Sequence, residues 1–570
     1  MNKLHSILFL LFAGISHIFA TTYYAAPNGS GDGKTYDTPC SLSKGINSLR
    51  QGGDTLYLLN GQYDIDKTTI SYKNGAAGQY IVISGYPNEK VILDFRRTAY
   101  GTRGLQIAET CTYLHIKDLT LRYSGKNNLY NEGSNCLFEN LDIYGSADTG
   151  CQMKKGGNNI IKNVDSHDNF DYELDKSGNL TQCDFGGNAD GFADKQFTGN
   201  GNHYIGCRSW NNSDDGWDFF QRVSNSETII EGCICYKNGP AYYDMRNHPR
   251  YQTDKAWFDQ FKDGKTVTDA DGNEVTVTLD KYPNMGNGNG FKLGGGSTIH
   301  NVLVHHCLSV ANTVKGYDQN SDAGAVRLYN NTAYMNNSDY SFYNANGCTL
   351  DIQNCISFQS KGKNTFDSRI VQVSNNNSWS SEFSVSAADF LSLDTTEITS
   401  HRLVDGSLAE GLLLHLWEGS ALIDAGNDVG LDYMGEAPDL GCYETAGTEP
   451  QPDNGHTVAY ITTPGSEEDN AILNRLRQND SLSIKVVNAG SASSDFSKYE
   501  LLIISPKPNS SASAFTALKG YDRPMLVLKP FLFKSSVWNW GNAINTQDLS
   551  VVVSLVPQHY FWQQTDYQSI

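Results

Sequence analysis

The feature that most constrains the fold is a repeat that begins near Arg103. Small or polar residues recur at one of its positions, which are Gly104, Asn128, Gly150, Gly191, Gly216, Gly290, Gly316 and Ser341. Most steps between them are about 25 residues long, which is typical of a parallel β-helix whose coils stack on one another. The steps from Gly150 to Gly191 and from Gly216 to Gly290 are longer and contain insertions.

A second column of residues supports the same register. Its members are Ser124, Ser146, Asn169, Asn212, Asn238, Asn312, Asn337 and Ser360. Asparagine side chains that are stacked at one bend can hydrogen-bond from coil to coil. We therefore predict an asparagine ladder inside the helix.

The cysteine positions argue against a disulfide scaffold, although twelve cysteines in an exported protein would normally suggest one. A third column contains Leu119, Leu141, Val164, Cys207, Cys233, Cys307, Thr332 and Cys355. Because cysteine alternates with leucine and valine there, we predict that these four cysteines are unpaired core residues. The pairing of Cys111, Cys136, Cys151 and Cys183 stays open.

The segment before the repeat combines an export signal with a cap. Residues 1–20 have the basic start, apolar run and small residue of a secretory signal peptide, and no later run is long enough to span a bilayer. We therefore predict a secreted protein without a membrane anchor. Leu42, Ile46 and Leu49 share one face of a short predicted helix between Ser41 and Arg50, which would cap the open end of the β-helix.

The segment after the repeat is of another kind. A β-helix domain over 21–445 is followed by a predicted linker at 446–456, rich in Pro and Gly, and by a small α/β domain over 457–570. In that domain, apolar strands alternate with a helix predicted from Glu467 to Gln478. Its role, whether carbohydrate binding, partner binding or spacing, stays open. The Gly- and Asp-rich segment from Leu422 to Glu444 fits either a terminal cap or a second cation site.

Charge restricts the partners of the protein. The net charge is −20 and only 19% of residues are charged. Nothing resembles the basic surface with which proteins bind nucleic acid. A polyanionic substrate would need a bound cation or a few well-placed lysines and arginines. We expect a monomer.

An acidic cluster lies within the repeat. The register stacks Asp190 on Asp215, with Asp214 and Asp218 beside them, whereas Asp194 falls one step past the row. Carboxylates this close repel one another unless protons or a cation neutralise them, and calcium prefers such oxygen ligands. Turns stabilised by Asx hydrogen bonds would explain one aspartate per turn, but not four on adjacent coils. We therefore predict a Ca²⁺ site.

One lysine is brought to this cluster by the register. Asp218, Lys292 and Asp318 form one row, and the aromatic residues that precede them face the other way. A lysine beside a carboxylate is more often a surface ion pair. Next to a divalent cation and between neighbouring coils, however, we expect the pKa of Lys292 to fall, so that its neutral amine can act as a base.

These residues support a resemblance to a known family. The segments NADGFADKQF, NNSDDGWDFF, NGNGFKLGG and VKGYDQN, in this order, resemble family nine of the polysaccharide lyases, over roughly Tyr23 to Glu444. The resemblance implies a right-handed parallel β-helix and β-elimination on a polyuronate such as homogalacturonan. By the same resemblance, Ca²⁺ would be bound by Asp190, Asp214, Asp215 and Asp218, and Lys292 would remove the proton from carbon 5 of the sugar.

Substrate contacts are less clearly indicated. Basic residues near the cluster in sequence or register are Arg222, Arg246, Arg250, Lys255 and Lys315, which could bind substrate carboxylates or be solvated charges. The insertion from Gly239 to Asn287 is a predicted wall of the cleft. Three alternatives stay open: a rhamnogalacturonan lyase, a pectin hydrolase that uses only the carboxylates, and a non-catalytic carbohydrate-binding β-helix.

Overall fold

The computed structural model describes residues 20–172, 183, 185–269, 271–403, 405–409, 411–445 and 456–463, and, beyond these, 472–473, 476, 482–490, 496, 499–506, 508–509, 515, 518 and 524–528. The predicted signal peptide up to residue 19 and the predicted linker up to residue 455 lie outside the described residues, so the domain boundaries stay predictions. In the described part of the chain, no helix has the length and apolar character needed to cross a bilayer.

Most of the regular secondary structure in the described chain consists of short strands. They are β1 (Thr22–Ala25), β2 (Thr55–Leu58), β3 (Gly61–Asp64), β4 (Thr68–Ile70), β5 (Ile81–Gly85), β6 (Val91–Asp94), β7 (Leu105–Ile107), β8 (Leu114–Arg122), β9 (Leu129–Asn131), β10 (Leu137–Tyr144), β11 (Cys151–Met153), β12 (Ile160–Lys162), β13 (Asp165–His167), β14 (Phe192–Asp194), β15 (Thr198–Gly199), β16 (His203–Ile205), β17 (Arg208–Trp210), β18 (Trp217–Asp218), β19 (Val223–Ser224), β20 (Thr228–Glu231), β21 (Ile234–Tyr236), β22 (Tyr242–Tyr243), β23 (Lys265–Thr268), β24 (Glu274–Val277), β25 (Tyr282–Pro283), β26 (Phe291–Lys292), β27 (Val302–His305), β28 (Leu308–Val310), β29 (Lys315–Asp318), β30 (Ala325–Tyr329), β31 (Thr332–Tyr334), β32 (Ser338–Phe342), β33 (Thr349–Gln353), β34 (Ile356–Phe358), β35 (Thr365–Phe366), β36 (Val371–Asn375), β37 (His456–Thr462), β38 (Leu482–Asn488), β39 (Leu501–Ile504) and β40 (Met525–Val527).

Helices are few and short. The α-helices with described bounds are α1 (Leu42–Ser48) and α2 (Lys255–Asp259), and 3₁₀ turns span Met245–Asn247, Ala387–Asp389 and Thr395–Thr399. Helix α1 lies within the range predicted for the capping helix. The Ser41 side chain accepts a hydrogen bond from the Lys44 amide at its start, and Ile46 is buried where α1 packs against β1 and β2.

The described chain divides into two compact units. The first contains the described residues up to Ile230, Cys235–Val302 and Asn312–Gly324. The second contains Glu231–Ile234, Leu303–Ala311 and the described residues from Ala325 onwards.

Parallel pairing in the first unit confirms the predicted register. One ladder runs β4, β7, β9, β11, β14, β18, β26 and β29. Its aligned positions are Leu105, Leu129, Cys151, Phe192, Trp217, Phe291 and Tyr317, each one residue after the predicted glycine column. Two further ladders meet in the long strands β8 and β10, whose first and second halves pair with different strands. A coil therefore has three faces.

The glycine column exists because neighbouring parts of the chain pass too close for a side chain. A Cβ atom at Gly191 would lie 2.0 Å from the Ser209 hydroxyl oxygen, and one at Gly216 would lie 2.6 Å from the carbonyl oxygen of Gly290. Neither contact is sterically possible without movement of the coil.

The asparagine ladder is confirmed in the first unit. The side-chain amide of Asn169 donates to Asn212 Oδ1 at 2.7 Å, that of Asn212 to Asn238 at 3.0 Å, and that of Asn238 to Asn312 at 3.0 Å. All four side chains are fully buried. Each amide thus uses its donor and its acceptor on successive coils, which satisfies buried polar groups without water.

One member of the predicted column was wrong. Asn337 is exposed, and the buried residue of that coil is Asn336. The amide of Asn336 donates to Ser309 O at 3.0 Å and to Asp339 Oδ1 at 2.9 Å. The repeat length varies slightly from coil to coil, so spacing alone does not distinguish between two adjacent asparagines.

The prediction for the cysteines is confirmed. All twelve are free and buried, including the four that the sequence left open. In the inward row, Cys207, Cys233, Cys307 and Cys355 are each 0% exposed, as are apolar neighbours such as Val164. Cysteine therefore acts here as a small apolar residue.

The long insertion after β21 packs against the segment that precedes β14. Phe258, Phe261 and Tyr282 are buried in one cluster with Phe170 and Tyr172, which precede β14. Arg250 secures the insertion, since its buried guanidinium contacts Asp254 at 2.8 Å and donates to Thr98 O at 2.7 Å and Tyr123 O at 3.0 Å.

The second unit contains further parallel pairs and a separate sheet. Strands β28, β31 and β34 pair in order, as do β30, β33 and β36, and β32 pairs with β35. A four-stranded parallel sheet has the order β38, β37, β39, β40, as expected for the small α/β domain. Of the helix predicted from Glu467 to Gln478, only Ile472, Leu473 and Leu476 are described, and all three are helical. They pack with Val458 and Leu412.

The segment from Leu422 to Glu444 is a series of turns held by carboxylates. Asp424 Oδ1 accepts from the amide of Glu436 at 2.8 Å, and Asp439 accepts from the amides of Asp424 at 2.9 Å and Thr445 at 2.6 Å. Among the described residues, this segment supplies no group of three acidic side chains whose oxygens converge. The contacts favour the cap over a second cation site.

We expect Asn212→Ala to lower the free energy of unfolding by about 1 to 3 kcal/mol, because it leaves buried partners on two coils unsatisfied. The matched change Asn337→Ala, at an exposed position, should stay within about 0.5 kcal/mol of the parent. Urea denaturation measures both. Equal effects of the two changes would contradict the ladder.

Candidate active site

A stack of aromatic side chains sets the spacing beneath the site. Ring centres are 4.5 Å apart between Phe192 and Trp217, 4.9 Å between Trp217 and Phe291, and 5.0 Å between Phe291 and Tyr317. All four rings are fully buried. Because successive residues of a strand point to opposite faces, the residues that follow them point outwards.

The outward row joins residues that are distant in sequence. Ala193 pairs with Asp218, Asp218 with Lys292, and Lys292 with Asp318. The long insertion separates Asp218 from Lys292 in the chain, yet the two residues are direct neighbours on adjacent coils.

Three buried carboxylates meet beside this row. Asp190, Asp215 and Asp218 each offer one oxygen, and these oxygens lie within 4.8 Å of one another. Asp190 Oδ2 accepts from the Thr149 hydroxyl at 2.9 Å, Asp215 Oδ1 from the Asn289 amide at 2.9 Å, and Asp218 Oδ1 from the Phe220 amide at 2.9 Å. The turns that precede and follow the strands thus hold the acidic cluster rigidly.

Lys292 lies against the cluster, where the register placed it. Its Nζ atom is 2.9 Å from Asp215 Oδ2 and 3.4 Å from Asp218 Oδ1. The side chain is 9% exposed, so one end of it still reaches the surface.

A second lysine, Lys195, was missed by the sequence reasoning. Its Nζ atom lies 2.8 Å from Asp190 Oδ2 and 2.8 Å from Asp218 Oδ2, and so bridges two coils. The signal was present, because Lys195 stands two residues after Ala193 and alternation directs it to the same outer face. The acidic cluster thus has two ammonium partners.

Two further aspartates, Asp214 and Asp194, do not belong to the group of three converging carboxylates. Asp214 lies beside the cluster but outside the group of three, and its Oδ1 atom accepts from the Asn287 amide at 2.6 Å. Asp194 lies apart, as expected, and forms a buried ion pair with Arg222 at 2.7 Å.

Two of the basic residues predicted to bind substrate have structural contacts instead. Arg222 is fully buried, pairs with Asp194, and donates to the carbonyl oxygens of Gly199, Asn200 and Val223. The equally buried Arg250 holds the insertion. Their donors are used inside the protein, which corrects the prediction for both.

The other three predicted basic residues keep surface contacts, and one of them, Lys255, is exposed and pairs with Asp259 in the insertion. Arg246 is 58% exposed and pairs with Asp244 at 2.6 Å in the insertion. Lys315 lies at the edge of the site, where its Nζ atom is 3.0 Å from Asp318 Oδ2.

The electrostatics of the site follow from burial and like charge. Burial raises the pKa of Asp190 to about 7, with Asp218 and Asp215 acting in the same direction against Lys195. Burial also raises the pKa of Asp214 well above its ordinary value, aided by Asp215 and Asp190. The cluster resists carrying its full negative charge without positive partners.

The predicted fall in the pKa of Lys292 depends on a bound cation, and without one the pKa is raised. Burial lowers it, but Asp215 and Asp218 stabilise the ammonium more strongly, so the pKa ends well above its ordinary value. A positive ion that neutralised these carboxylates would remove that attraction and leave the effect of burial.

The donor set suits a hard divalent cation such as calcium. All candidate ligands are oxygen atoms, which is the chemistry calcium prefers. The side-chain oxygen of Asn289, stacked next to Asp215, is buried and has no hydrogen-bond partner. Within the described ranges, no other group of three acidic, histidine or cysteine side chains has this proximity.

Known proteins match the chain along most of its length. A family model described as "Pel9A-like, right handed beta helix region" matches residues 23–250. Pectate lyase L of Dickeya dadantii (strain 3937) is 32% identical over 445 residues, which cover 74% of this chain and 90% of that protein. The crystal structure of pectate lyase Pel9A has 30% identity and a TM-score of 0.60, covering 74% of this chain and 96% of that one.

A rhamnogalacturonan lyase structure is a weaker match, with 22% identity and a TM-score of 0.52 over 70% of this chain and 97% of that one. This similarity concerns the fold alone.

The fold, the site and these matches define a polysaccharide lyase built on a right-handed parallel β-helix. The chain belongs to family nine of these enzymes, together with pectate lyase L and Pel9A.

We expect Lys195→Met to lower the free energy of unfolding by about 3 kcal/mol in the presence of a chelator, because it leaves buried carboxylates on two coils without their partner. Urea denaturation measures the loss. The control Lys162→Met removes an exposed lysine paired with Glu139 and should change stability by less than about 1 kcal/mol. A loss no larger than in the control would show that the bridge is unimportant.

Proposed function

We propose that the protein is a calcium-dependent pectate lyase that cleaves polygalacturonate by β-elimination, with Lys292 as the base. The observation that carries the proposal is the position of Lys292 Nζ, 2.9 Å from Asp215 and 3.4 Å from Asp218 in the acidic cluster. The names of the pectate lyases at 30% and 32% identity support the choice of substrate.

Asp190, Asp215 and Asp218 would hold the calcium ion, with the amide oxygen of Asn289 as a further ligand and Asp214 alongside. Bound calcium would neutralise the uronate carboxylate at carbon 6, which acidifies the hydrogen on carbon 5.

The protein's own residues carry the proton transfer. In its neutral form, Lys292 Nζ accepts the proton from carbon 5, and the electron pair of that bond forms the double bond between carbons 4 and 5. The bond from carbon 4 to the glycosidic oxygen breaks, and the oxygen leaves with its electron pair and takes a proton from water. The products are an unsaturated uronate end and a new sugar end.

The proposal includes export and a monomeric enzyme. The basic start and apolar run of residues 1–20 support secretion, where the protein would meet extracellular polyuronate.

We expect Lys292→Ala to reduce the formation of ultraviolet-absorbing unsaturated products from polygalacturonate by about 100-fold to 10,000-fold, because it removes the base. Absorbance with and without calcium, on polygalacturonate and on rhamnogalacturonan, measures this. The control Lys162→Ala, on another face, should retain activity.

Three outcomes would contradict parts of this proposal. New reducing ends without ultraviolet absorbance would indicate a hydrolase. Unsaturated products from rhamnogalacturonan alone would change the substrate. Full activity of Lys292→Ala would exclude Lys292 as the base.

We expect Asp215→Asn to weaken calcium binding by about tenfold or more, because the charge of the ligand set determines calcium affinity. Calorimetric titration of the chelator-treated protein measures it without any need for turnover. The control Asp318→Asn changes a buried aspartate of the next coil that pairs with Lys315, and should bind calcium as the parent does. Unchanged binding by Asp215→Asn would remove this cluster as the metal site.

A further inference from the structure

A group of positive charges lies on the same outer face as the acidic cluster, towards the N-terminal coils. We define the basic patch as Arg103 and Lys154 together with Tyr130. The outward row runs from Tyr130 to Gln152, Ala193 and Asp218 by direct strand pairing. With about 4.8 Å per coil, Tyr130 lies about 14 Å and Gln152 about 10 Å from Asp218 along the stack.

In the part of the chain that the structure describes, Arg103 contacts an aromatic ring but no acidic side chain that would neutralise it. Its guanidinium carbon lies 3.5 Å from the centre of the Tyr130 ring, and its Nε atom is buried without a hydrogen bond. No carboxylate of the described residues forms an ion pair with it. Stacking on a ring holds the guanidinium in one place while its N–H groups remain available in the ring plane.

Lys154 also lacks an acidic partner among the described residues. Its Nζ atom donates to the carbonyl oxygen of Gln196 at 2.9 Å, that of Lys195 at 3.3 Å and the side-chain oxygen of Gln196 at 3.4 Å. Burial lowers its pKa, and the positive charges of Lys195 and Arg103 act in the same direction, whereas Glu132 acts against them. Two of these contacts are long, at 3.3 and 3.4 Å, and the oxygens are neutral, so they hold the ammonium in place without balancing its charge.

Acidic residues near the patch are already in ion pairs. Glu132 lies 3.0 Å from Lys155, and Asp148 lies 2.8 Å from Lys126. In a protein with a net charge of −20, two fixed positive groups without acidic partners are unexpected as a purely structural feature. Two positive charges held close together repel each other, and an anion that binds between them offsets this repulsion.

We propose that the basic patch is a subsite for carboxylate groups of the polysaccharide, with Tyr130 three coils and Lys154 two coils from Asp218. A polyuronate lying along the stack would place a carboxylate of a sugar beyond the cleaved bond against Arg103 and Lys154. The choice of a polyuronate rests on the proposed function, whereas the demand for an anion comes from the patch itself.

The test measures binding without cleavage. In the Lys292→Ala background, calorimetry with polygalacturonate should show about tenfold weaker binding for Arg103→Gln and for Lys154→Gln, since each loses a charge-assisted hydrogen bond. The matched control Arg97→Gln removes an exposed arginine paired with Asp64 and should bind as the background does. Thermal unfolding checks that all variants are folded.

A second ligand tests whether the patch recognises the charge of the polysaccharide or only its shape. With fully methyl-esterified polygalacturonate, whose carboxyl groups are neutral, the two patch variants should bind as the background does. An equal loss of affinity for both ligands would overturn the assignment to carboxylates, because the patch would then act through shape.

The outcomes also separate this subsite from the proposed function. If the patch variants bind polygalacturonate as tightly as the background, the subsite is wrong, while cleavage by the enzyme with Lys292 intact still supports the function. If the intact enzyme neither binds nor cleaves polygalacturonate, both proposals fail.

Discussion

The stacking of coils at about 4.8 Å is the constraint on which the rest of the structure depends. It places residues of one column directly on top of one another, whether or not they attract. Aromatic rings from Phe192 to Tyr317 stack favourably at 4.5 to 5.0 Å, and the buried asparagines pass hydrogen bonds along the column. Aspartates in the same arrangement repel, so Asp190 and Asp215 require positive partners. The stacking of coils therefore explains both the rigid scaffold and the need for positive charge beside the aspartates.

This repulsion explains the composition of the active site. Asp190, Asp215 and Asp218 share two lysines, of which Lys195 contacts Asp190 and Asp218, and Lys292 contacts Asp215 and Asp218. A rigid acidic cluster suits calcium, because the ligands are already assembled and little ordering is needed when the ion binds. Burial from the neighbouring coils raises the electrostatic strength of every contact. The site is therefore preorganised by the same packing that stabilises the coils.

Much of this arrangement could be predicted from residue spacing. The glycine column predicted the pairing of Asp218 with Lys292 across the long insertion, and a row shared by leucine, valine and cysteine predicted free cysteines. The failures have physical causes. Asn336 rather than Asn337 is buried, because coil length varies slightly. Arg222 and Arg250 were expected near substrate, yet they are buried, because sequence proximity does not reveal that carboxylates and carbonyls inside the protein already bind them.

The spacing of the sequence repeat was sufficient to predict which residues stack. A parallel strand pairs in register with the coil before it, and its side chains alternate between two faces. That is why the β-helix, the acidic cluster and its neighbour Lys292 can be predicted from the order of the residues. Which cation meets which carboxylate was decided only by the tertiary structure. Lys195, Arg103 and Lys154 have long side chains whose charged ends lie several bonds from the backbone, so the repeat indicates the face on which they lie, whereas the packing around them decides what the charged ends contact.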